Sequence, residues 1–254
     1  MPTLEMTEAE AGAETAEALA AATESYSDND NDTDSIVAEE TTATVISEPH
    51  PLEGEIRRWE RITRDLPPPA KNILFYGSST IRLWNETLEG DFPELPVVCR
   101  GFGGSDLEEG VLFFDRLVIP CRPSMLVVYA GENDLVHGRT ADQVVQSWRE
   151  IVRHTRLHLG SIPVVFISLK PSPSRLHLRE AVLEVNRRIK AICAESPRLL
   201  RYVDVYNPML DDNGNARLEN FSEDQLHLSR KGYELWATLL QKPVRDAYNY
   251  AIGV

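Results

Sequence analysis

The feature that most constrains the fold is an alternation, from Pro51 onward, between short apolar runs and longer amphipathic stretches. A short apolar run bounded by polar residues or glycine is typical of a buried strand, whereas apolar residues at helical spacing indicate a helix packed on one face. Strands of a parallel sheet are buried on both faces and joined by crossover helices, which produces this alternation. The pattern predicts an α/β protein: a doubly wound, three-layer α/β/α sandwich with a mainly parallel five-stranded sheet.

The elements can be placed on the sequence. The predicted strands are the apolar runs at residues 72–77, 96–101, 124–130, 162–169 and 200–205. The predicted helices are the amphipathic stretches at residues 52–65, 107–117, 141–159, 176–195 and 229–249. Ser105 is predicted to cap the second of these helices, with Glu108 completing a capping box. Three tryptophans at helical apolar positions, Trp84, Trp148 and Trp236, are predicted to lie in the core.

The charge of the chain is unevenly distributed. Residues 1–50 contain 13 of the 40 acidic residues and no Lys or Arg, which leaves 27 acidic and 26 basic residues in the rest of the chain. This first segment is rich in Ala, Glu, Thr and Ser and has one aromatic residue, so it cannot bury enough apolar surface to offset its ordering entropy. We therefore predict an acidic, disordered tail at residues 1–50 and a single folded domain at residues 51–254.

Composition also excludes several classes of protein. Nucleic-acid binding depends on clustered Lys and Arg, which the nearly neutral domain does not show. The longest apolar runs are far shorter than the roughly 20 residues of a membrane-spanning helix. The amino terminus lacks the basic residues and apolar stretch of a secretory signal, so we expect a cytoplasmic protein. Three cysteines at no recognisable spacing, Cys99, Cys121 and Cys193, are expected to be free thiols.

Polar residues follow the carboxyl ends of the predicted strands, where open α/β sheets bind their ligands. The first strand runs into Ser78, Ser79 and Thr80, the second ends in GFGGSD, the third in AGEND and the fourth in KPSPSR. A further polar segment, DQLH, precedes the final helix. Because these strand ends meet at one edge of the sheet, the segments predict a single site.

The residues at this edge can supply the parts of a nucleophilic mechanism. A hydroxyl nucleophile needs a base, an acid that orients the base, and donors for the oxyanion. A serine on the sharp turn after Gly77 would be exposed at the start of a helix. Asp224 and His227 are three residues apart, so both can face that serine, and Asp224 can either bond to the imidazole directly or be held by the backbone. Gly104 and Asn133 can supply a backbone N–H and a side-chain amide as oxyanion donors.

These segments resemble the four blocks of the SGNH or GDSL-type hydrolases, in family order. The blocks are YGSSTIRLW at 76–84, RGFGGSD at 100–106, GEND at 131–134 and DQLHLS at 224–229. The resemblance extends from residue 72 to about residue 240 and implies the flavodoxin-like SGNH fold and a serine esterase of the carboxylic ester hydrolase class, without a cofactor. The segment LKPSPSR at 169–175 and Tyr233 are similar to the bacterial branch related to the catalytic subunit of platelet-activating factor acetylhydrolase.

The resemblance also implies roles for individual residues. Alignment of the serine block makes Ser79 the nucleophile and puts Ser78 where the family pattern has Asp. His227 is then the base and Asp224 its partner. The implied oxyanion donors are the N–H of Ser79, the N–H of Gly104 and the side chain of Asn133.

The substrate is expected to be a small-molecule ester. The absence of a long insertion between the motifs argues against a large lid and favours a short acyl group such as acetyl. Lys170 and Arg175 are candidate contacts for an anionic substrate group, although surface ion pairs are the other interpretation. His137 either borders the pocket or is solvated. No nucleic-acid partner is expected, and a homodimer is compatible with this branch.

No metal site is predicted, and two other functions stay open. His154 and His158 have the spacing of metal ligands on a helix, but the HTRLH segment lacks the Glu and the third ligand of a zinc hydrolase.

A flavodoxin-like protein could bind a phosphate or flavin through SST and GFGGS, yet GEND and DQLH would then have no role. The other alternative is a non-catalytic SGNH scaffold used as an interaction module. In that case the expected residue type would be present at every catalytic position but would have no catalytic role.

Overall fold

All five predicted strands are present and form one parallel sheet. The structure is a computed structural model that describes residues 48–254, so the predicted tail falls outside the described residues except for its last three positions. The strands are β1 (Ile73–Gly77), β2 (Val97–Gly101), β3 (Met125–Tyr129), β4 (Val164–Ile167) and β5 (Leu200–Val203). Their order is β2-β1-β3-β4-β5, and each adjacent pair is parallel. The predicted doubly wound sheet is confirmed.

Helices cover both faces of the sheet. They are α1 (Glu53–Asp65), α2 (Ser79–Trp84), α3 (Leu88–Asp91), α4 (Leu107–Leu112), α5 (Phe114–Leu117), α6 (Glu132–Val136), α7 (Ala141–Leu159), α8 (Arg179–Glu195) and α9 (Arg230–Ile252). On one face α1 contacts α5, α4 contacts α7 and α7 contacts α8, while α9 packs on the other face beside α2 and α3. Within the described part of the chain, no helix combines the length and the apolar character required to cross a bilayer.

The core is built from the apolar runs that form the strands and from the side chains that pack against them. Strands β1 and β3 occupy the centre of the sheet and are buried at every position. Trp236 of α9 contacts the rings of Trp84 and Tyr129, with centroid separations of 5.9 and 4.9 Å, and Trp148 of α7 packs against Phe166 at 5.0 Å. All three predicted core tryptophans are fully buried, and the three cysteines are free and buried as expected.

The second predicted helix differs from the structure in two ways. The helical segment at residues 107–117 is interrupted at Phe113, which gives the separate helices α4 and α5. The helix cap is Asp106 rather than Ser105, and its capping box is completed by Glu109 rather than Glu108. The Ser105 hydroxyl instead donates to the carbonyl of Phe102 at 3.0 Å, so it is not free to cap the helix.

Candidate active site

The segments that follow β1, β2 and β3 begin at the same level of the sheet. Gly77 is paired with Gly101 on one side and with Tyr129 on the other. Just beyond the strands, the Phe102 N–H donates to the Gly77 carbonyl at 2.9 Å and the Ser78 N–H donates to the Tyr129 carbonyl at 3.0 Å. The serine, glycine and asparagine segments therefore lie side by side at the carboxyl edge of the sheet.

The turn between β1 and α2 requires a glycine. Gly77 has a φ of 145°, and a Cβ atom at this position would lie 1.9 Å from the Tyr129 carbonyl oxygen. Ser78 is extended and serves as the N-cap of α2, which makes Ser79 the first residue of that helix. The sharp turn predicted from the serine block is therefore present, and it leaves Ser79 partly exposed.

A chain of hydrogen bonds joins Ser79, His227 and Asp224. His227 Nε2 is 2.9 Å from Ser79 Oγ, and His227 Nδ1 is 2.6 Å from Asp224 Oδ2. The other carboxylate oxygen, Oδ1, accepts the backbone N–H groups of Leu226 and His227 at 2.9 Å each. Asp224 thus bonds to the imidazole directly and is also held by the backbone, where the sequence left these as alternatives.

Asp224 is ionised over the whole pH range in which proteins are normally handled. Partial burial acts to raise the pKa of this carboxyl group, but the hydrogen bonds from the Leu226 N–H and from His227 outweigh burial and lower the pKa to about 2. A permanent carboxylate beside Nδ1 favours the imidazole tautomer that carries its hydrogen there. Nε2 is then the nitrogen that faces the Ser79 hydroxyl as an acceptor.

Asn133 is joined to the glycine loop. Its Nδ2 donates to the Ser105 carbonyl at 2.7 Å, and its Oδ1 accepts from Arg175 Nη2 at 2.7 Å. These two contacts fix which end of the amide is the donor. Gly104 lies in the same loop with a φ of 73°, and no atom lies within 4 Å of where a Cβ would stand. The backbone at Gly104 is therefore open to close approach by a ligand.

Two of the three candidate substrate contacts, Arg175 and His137, have different surroundings. Arg175 is half-buried and bonds to Asn133, and it also lines a cavity of about 560 Å³ together with Leu176, Tyr206 and Leu218. His137 is exposed, with Nδ1 3.5 Å from Asp106 Oδ2.

Lys170 requires a correction. It is neither an accessible substrate contact nor part of a surface ion pair, because only 1 % of it is exposed and its ammonium group is enclosed. The ammonium donates to the carboxylate of Glu132 and to the Tyr129 hydroxyl.

The buried partner of Lys170 is Glu132, which was not predicted from the sequence. Its carboxylate accepts from Lys170, from the Tyr129 hydroxyl and from Ser172 Oγ, the last at 2.5 Å. Burial alone would raise the pKa of Glu132, but the Lys170 ammonium and these hydrogen bonds hold it below its usual range. The sequence did contain one signal for this pair. Lys170 directly follows the apolar run of the fourth strand, and a charged side chain buried there requires a partner of opposite charge.

A comparison with protein families shows the family of the chain. A model of the GDSL-like lipase/acylhydrolase family matches residues 73–235, more than half of the sequence. The chain belongs to this family. The matched residues include the segments that hold Ser79, Asn133 and His227, and membership makes the protein a hydrolase of ester substrates. The resemblance noted in the sequence is confirmed.

Solved structures of GDSL-family proteins share the fold. A Bacteroides fragilis protein described as an acylhydrolase is 22 % identical with a TM-score of 0.68, over 76 % of this chain and 96 % of that chain. A GDSL-like lipase from Bacteroides thetaiotaomicron is 22 % identical with a TM-score of 0.66, over 76 % and 98 %. A Streptococcus pneumoniae protein described as a platelet activating factor is 17 % identical with a TM-score of 0.67, over 76 % and 92 %. No curated protein matches the chain.

Proposed function

We propose that this GDSL-family hydrolase is a serine esterase that works through an acyl-serine intermediate. The observation that carries the proposal is the hydrogen-bonded chain from Ser79 Oγ through His227 to Asp224, with separations of 2.9 and 2.6 Å. Nucleophile, base and orienting acid within hydrogen-bond reach are the arrangement that serine hydrolases of unrelated folds share. A phosphate-binding or flavin-binding protein would have no use for this arrangement.

Acylation begins when Ser79 Oγ attacks the ester carbonyl carbon. His227 Nε2 takes the serine proton, and the Asp224 carboxylate stabilises the imidazolium that forms. The N–H groups of Ser79 and Gly104 and the Nδ2 of Asn133 donate to the oxyanion of the tetrahedral intermediate. The intermediate then expels the alcohol, which receives the proton from His227 Nε2, and the acyl group stays bound to Ser79 Oγ.

Deacylation repeats the sequence with water. His227 Nε2 removes a proton from a water molecule as its oxygen attacks the acyl carbonyl carbon, and the same three donors stabilise the second oxyanion. Collapse of this intermediate breaks the bond to Ser79 Oγ, and the serine takes back a proton from His227. The products are the free acid and the starting enzyme, so the proposed reaction needs no cofactor.

The acyl group is proposed to be short, as in an acetyl ester. The connections from β1, β2 and β3 to the following helices are short, and the residues 102–106 and 131–134 that border Ser79 are tied to each other through Asn133 and Ser105. A lid over a long acyl chain at this edge of the sheet would be built from longer insertions than these.

Hydrolysis of p-nitrophenyl acetate, butyrate and decanoate tests the proposal. The wild-type protein is expected to hydrolyse the acetate with the highest kcat/KM, and Ser79→Ala is expected to lose at least 10³-fold of that activity, on the order seen when a triad nucleophile is removed. Ser78→Ala is the matched control, because Ser78 is the adjacent serine and makes no side-chain capping bond. Activity that survives in Ser79→Ala and disappears in Ser78→Ala would overturn the assignment of the nucleophile. A preference for decanoate would overturn the short acyl group.

A further inference from the structure

Three potential metal ligands meet on the helical face of the sheet that carries α5 and α7. His154 and His158 lie one turn apart on α7, and Asp115 lies on α5. His154 Nδ1 is 3.5 Å from Asp115 Oδ1, and His158 Nε2 is 3.9 Å from the same oxygen. The three ligand atoms all lie within 4.8 Å of one another. The third ligand that the HTRLH segment lacks is thus supplied by a residue far away in the sequence.

The separations suit a metal ion better than they suit hydrogen bonds. Protein hydrogen bonds between nitrogen and oxygen span about 2.7 to 3.2 Å, which is shorter than either distance to Asp115 Oδ1. Zinc bonds of about 2.0 to 2.1 Å in a tetrahedral shell place neighbouring ligand atoms about 3.4 Å apart. The observed distances of 3.5 and 3.9 Å are close to that edge length. A central ion would therefore require only small side-chain movements.

His154 provides an independent sign that a partner is missing. Its Nδ1 atom is buried and, among the described residues, makes no hydrogen bond. Buried polar atoms nearly always have a partner, so each exception calls for an explanation. The imidazole is held edge-on against Phe114 with a centroid separation of 5.5 Å, which directs Nδ1 towards Asp115. A metal ion between the three side chains would satisfy this nitrogen.

The other ring nitrogen of His154 has a competing neighbour. Arg153 Nη2 lies 3.0 Å from His154 Nε2, which favours the tautomer with its hydrogen on Nδ1. Metal binding through Nδ1 moves that hydrogen to Nε2 and turns the guanidinium away from the ring. Arg153 is exposed and is also paired with Glu150 at 2.6 Å, so it can leave the imidazole and keep its ion pair.

We propose that Asp115, His154 and His158 form a binding site for a divalent transition-metal ion of the zinc class. Two imidazoles and one carboxylate suit Zn²⁺, Co²⁺ or Ni²⁺, and the partial exposure of His158 and Asp115 lets water complete the shell. The site shares no residue with the Ser79, His227 and Asp224 chain. Its effect is mechanical: the ion ties α5 to α7 and stabilises the folded protein by mass action.

The test is a titration of the full chain, stripped with a chelator, with ZnCl₂ by calorimetry and with CoCl₂ by visible absorption. The wild-type protein is expected to bind one equivalent, with the d–d bands of tetrahedral Co²⁺ and a higher Tm in Zn²⁺. His158→Ala is expected to lose the bands and the Tm increase, and Asp115→Asn to weaken binding at least tenfold. His177→Ala is the matched control, because His177 is an exposed histidine elsewhere on the surface. It is expected to bind like the wild type.

Three further outcomes bear on the proposal. Arg153→Ala is expected to bind Zn²⁺ at least as tightly as the wild type, because the variant removes the competing guanidinium. The metal-free Tm of His158→Ala shows whether the variant is folded, and Asp115→Asn repeats the test without removing an aromatic ring. Absence of saturable binding to the wild type would overturn the site. Binding that persists in His158→Ala and disappears in His227→Ala would also overturn it, since the ion would then occupy the ester site.

Discussion

The amide of Asn133 is held at both ends, and the oxyanion donor of the proposed mechanism requires such a fixed orientation. Arg175 donates to Oδ1 and the Ser105 carbonyl accepts from Nδ2, so the amide cannot flip without breaking both bonds. Nδ2 carries two hydrogens, and the described residues supply an acceptor for one of them. In the proposed mechanism the second donates to the oxyanion. We therefore propose that Arg175, which the sequence offered as a candidate for either a substrate contact or a surface ion pair, is a positioning residue.

We expect Arg175→Ala to lower kcat for p-nitrophenyl acetate by about tenfold and to leave KM within about twofold. The loss is smaller than the 10²- to 10³-fold cost of removing an oxyanion donor, because Asn133 keeps its Ser105 contact. Steady-state kinetics measure both constants. Arg179→Ala is the control, since Arg179 is exposed and lines the same cavity without contacting Asn133. A rise in KM with kcat unchanged would show that Arg175 binds substrate.

At the scale of elements, the ion pair of Glu132 and Lys170 joins α6 to the segment after β4. We expect Lys170→Met to lower the free energy of unfolding by about 3 to 5 kcal/mol, because it leaves the Glu132 carboxylate buried without its counter-ion. The double variant Glu132→Gln with Lys170→Met is the control and is expected to be less destabilised than the single variant. Urea unfolding measures both. Equal stability of Lys170→Met and wild type would mean that the pair is dispensable.

Asp134 links α6 to the start of α4, where its carboxylate accepts the Leu107 N–H at 2.8 Å. Burial, assisted by the nearby charge of Asp106, raises the pKa of Asp134 to about 7, although the Leu107 bond opposes the shift. A carboxyl group whose pKa is raised on folding binds more protons in the folded state than in the unfolded state. The free energy of unfolding must therefore fall as the pH rises from about 4 to about 7, and this contribution is constant at higher pH.

We expect Asp134→Asn to remove this part of the pH dependence. The wild-type protein should lose on the order of 2 to 4 kcal/mol more than the variant when the pH is raised from 4.5 to 8. Urea unfolding at the two pH values measures the difference, and other titrating groups cancel because they are common to both proteins. Parallel pH profiles for the two proteins would contradict the raised pKa.

The elements that the sequence predicted well are those determined by local pattern. The apolar runs located all five strands, and α7 begins and ends where its periodicity does. The shift of the cap from Ser105 to Asp106 was not predictable, because tertiary contacts hold this segment: the Ser105 carbonyl accepts from Asn133 Nδ2, and the Leu107 N–H donates to Asp134. Local patterns contain no information on such contacts.

At the scale of the whole molecule, the residues of the candidate site could be predicted from the sequence, but the contacts that hold them in place could not. Motif order placed Ser79 and Asn133 after β1 and β3, which pair in the sheet, and His227 shortly before α9. The Glu132 network and the approach of Asp115 to His154 join segments from different strands and helices. These pairs become neighbours only through the packing of the complete fold.

We expect removal of residues 1–47 to leave both Tm and kcat/KM unchanged, since the site is built from residues of the described part of the chain, 48–254, and the sequence predicts a disordered segment before it. The truncation must stop before His50, whose ring contacts Phe113 at 5.1 Å and whose Nε2 is 3.3 Å from Glu109. Thermal unfolding and ester hydrolysis of the shortened and full chains make the comparison, and removal of residues 1–52 is the control, expected to lower Tm. Loss of activity on removal of residues 1–47 would contradict the two-part organisation.

In the proposed mechanism Ser79 carries the acyl group during turnover. The most direct measurement is intact-mass spectrometry of the protein quenched in acid during hydrolysis of p-nitrophenyl acetate, followed by peptide mapping. We expect a mass increase of one acetyl group in the wild type and in Ser78→Ala, located on the peptide that contains Ser79, and no such increase in Ser79→Ala. An acetyl group on another residue, or an adduct of unchanged yield in Ser79→Ala, would show that Ser79 is not the nucleophile.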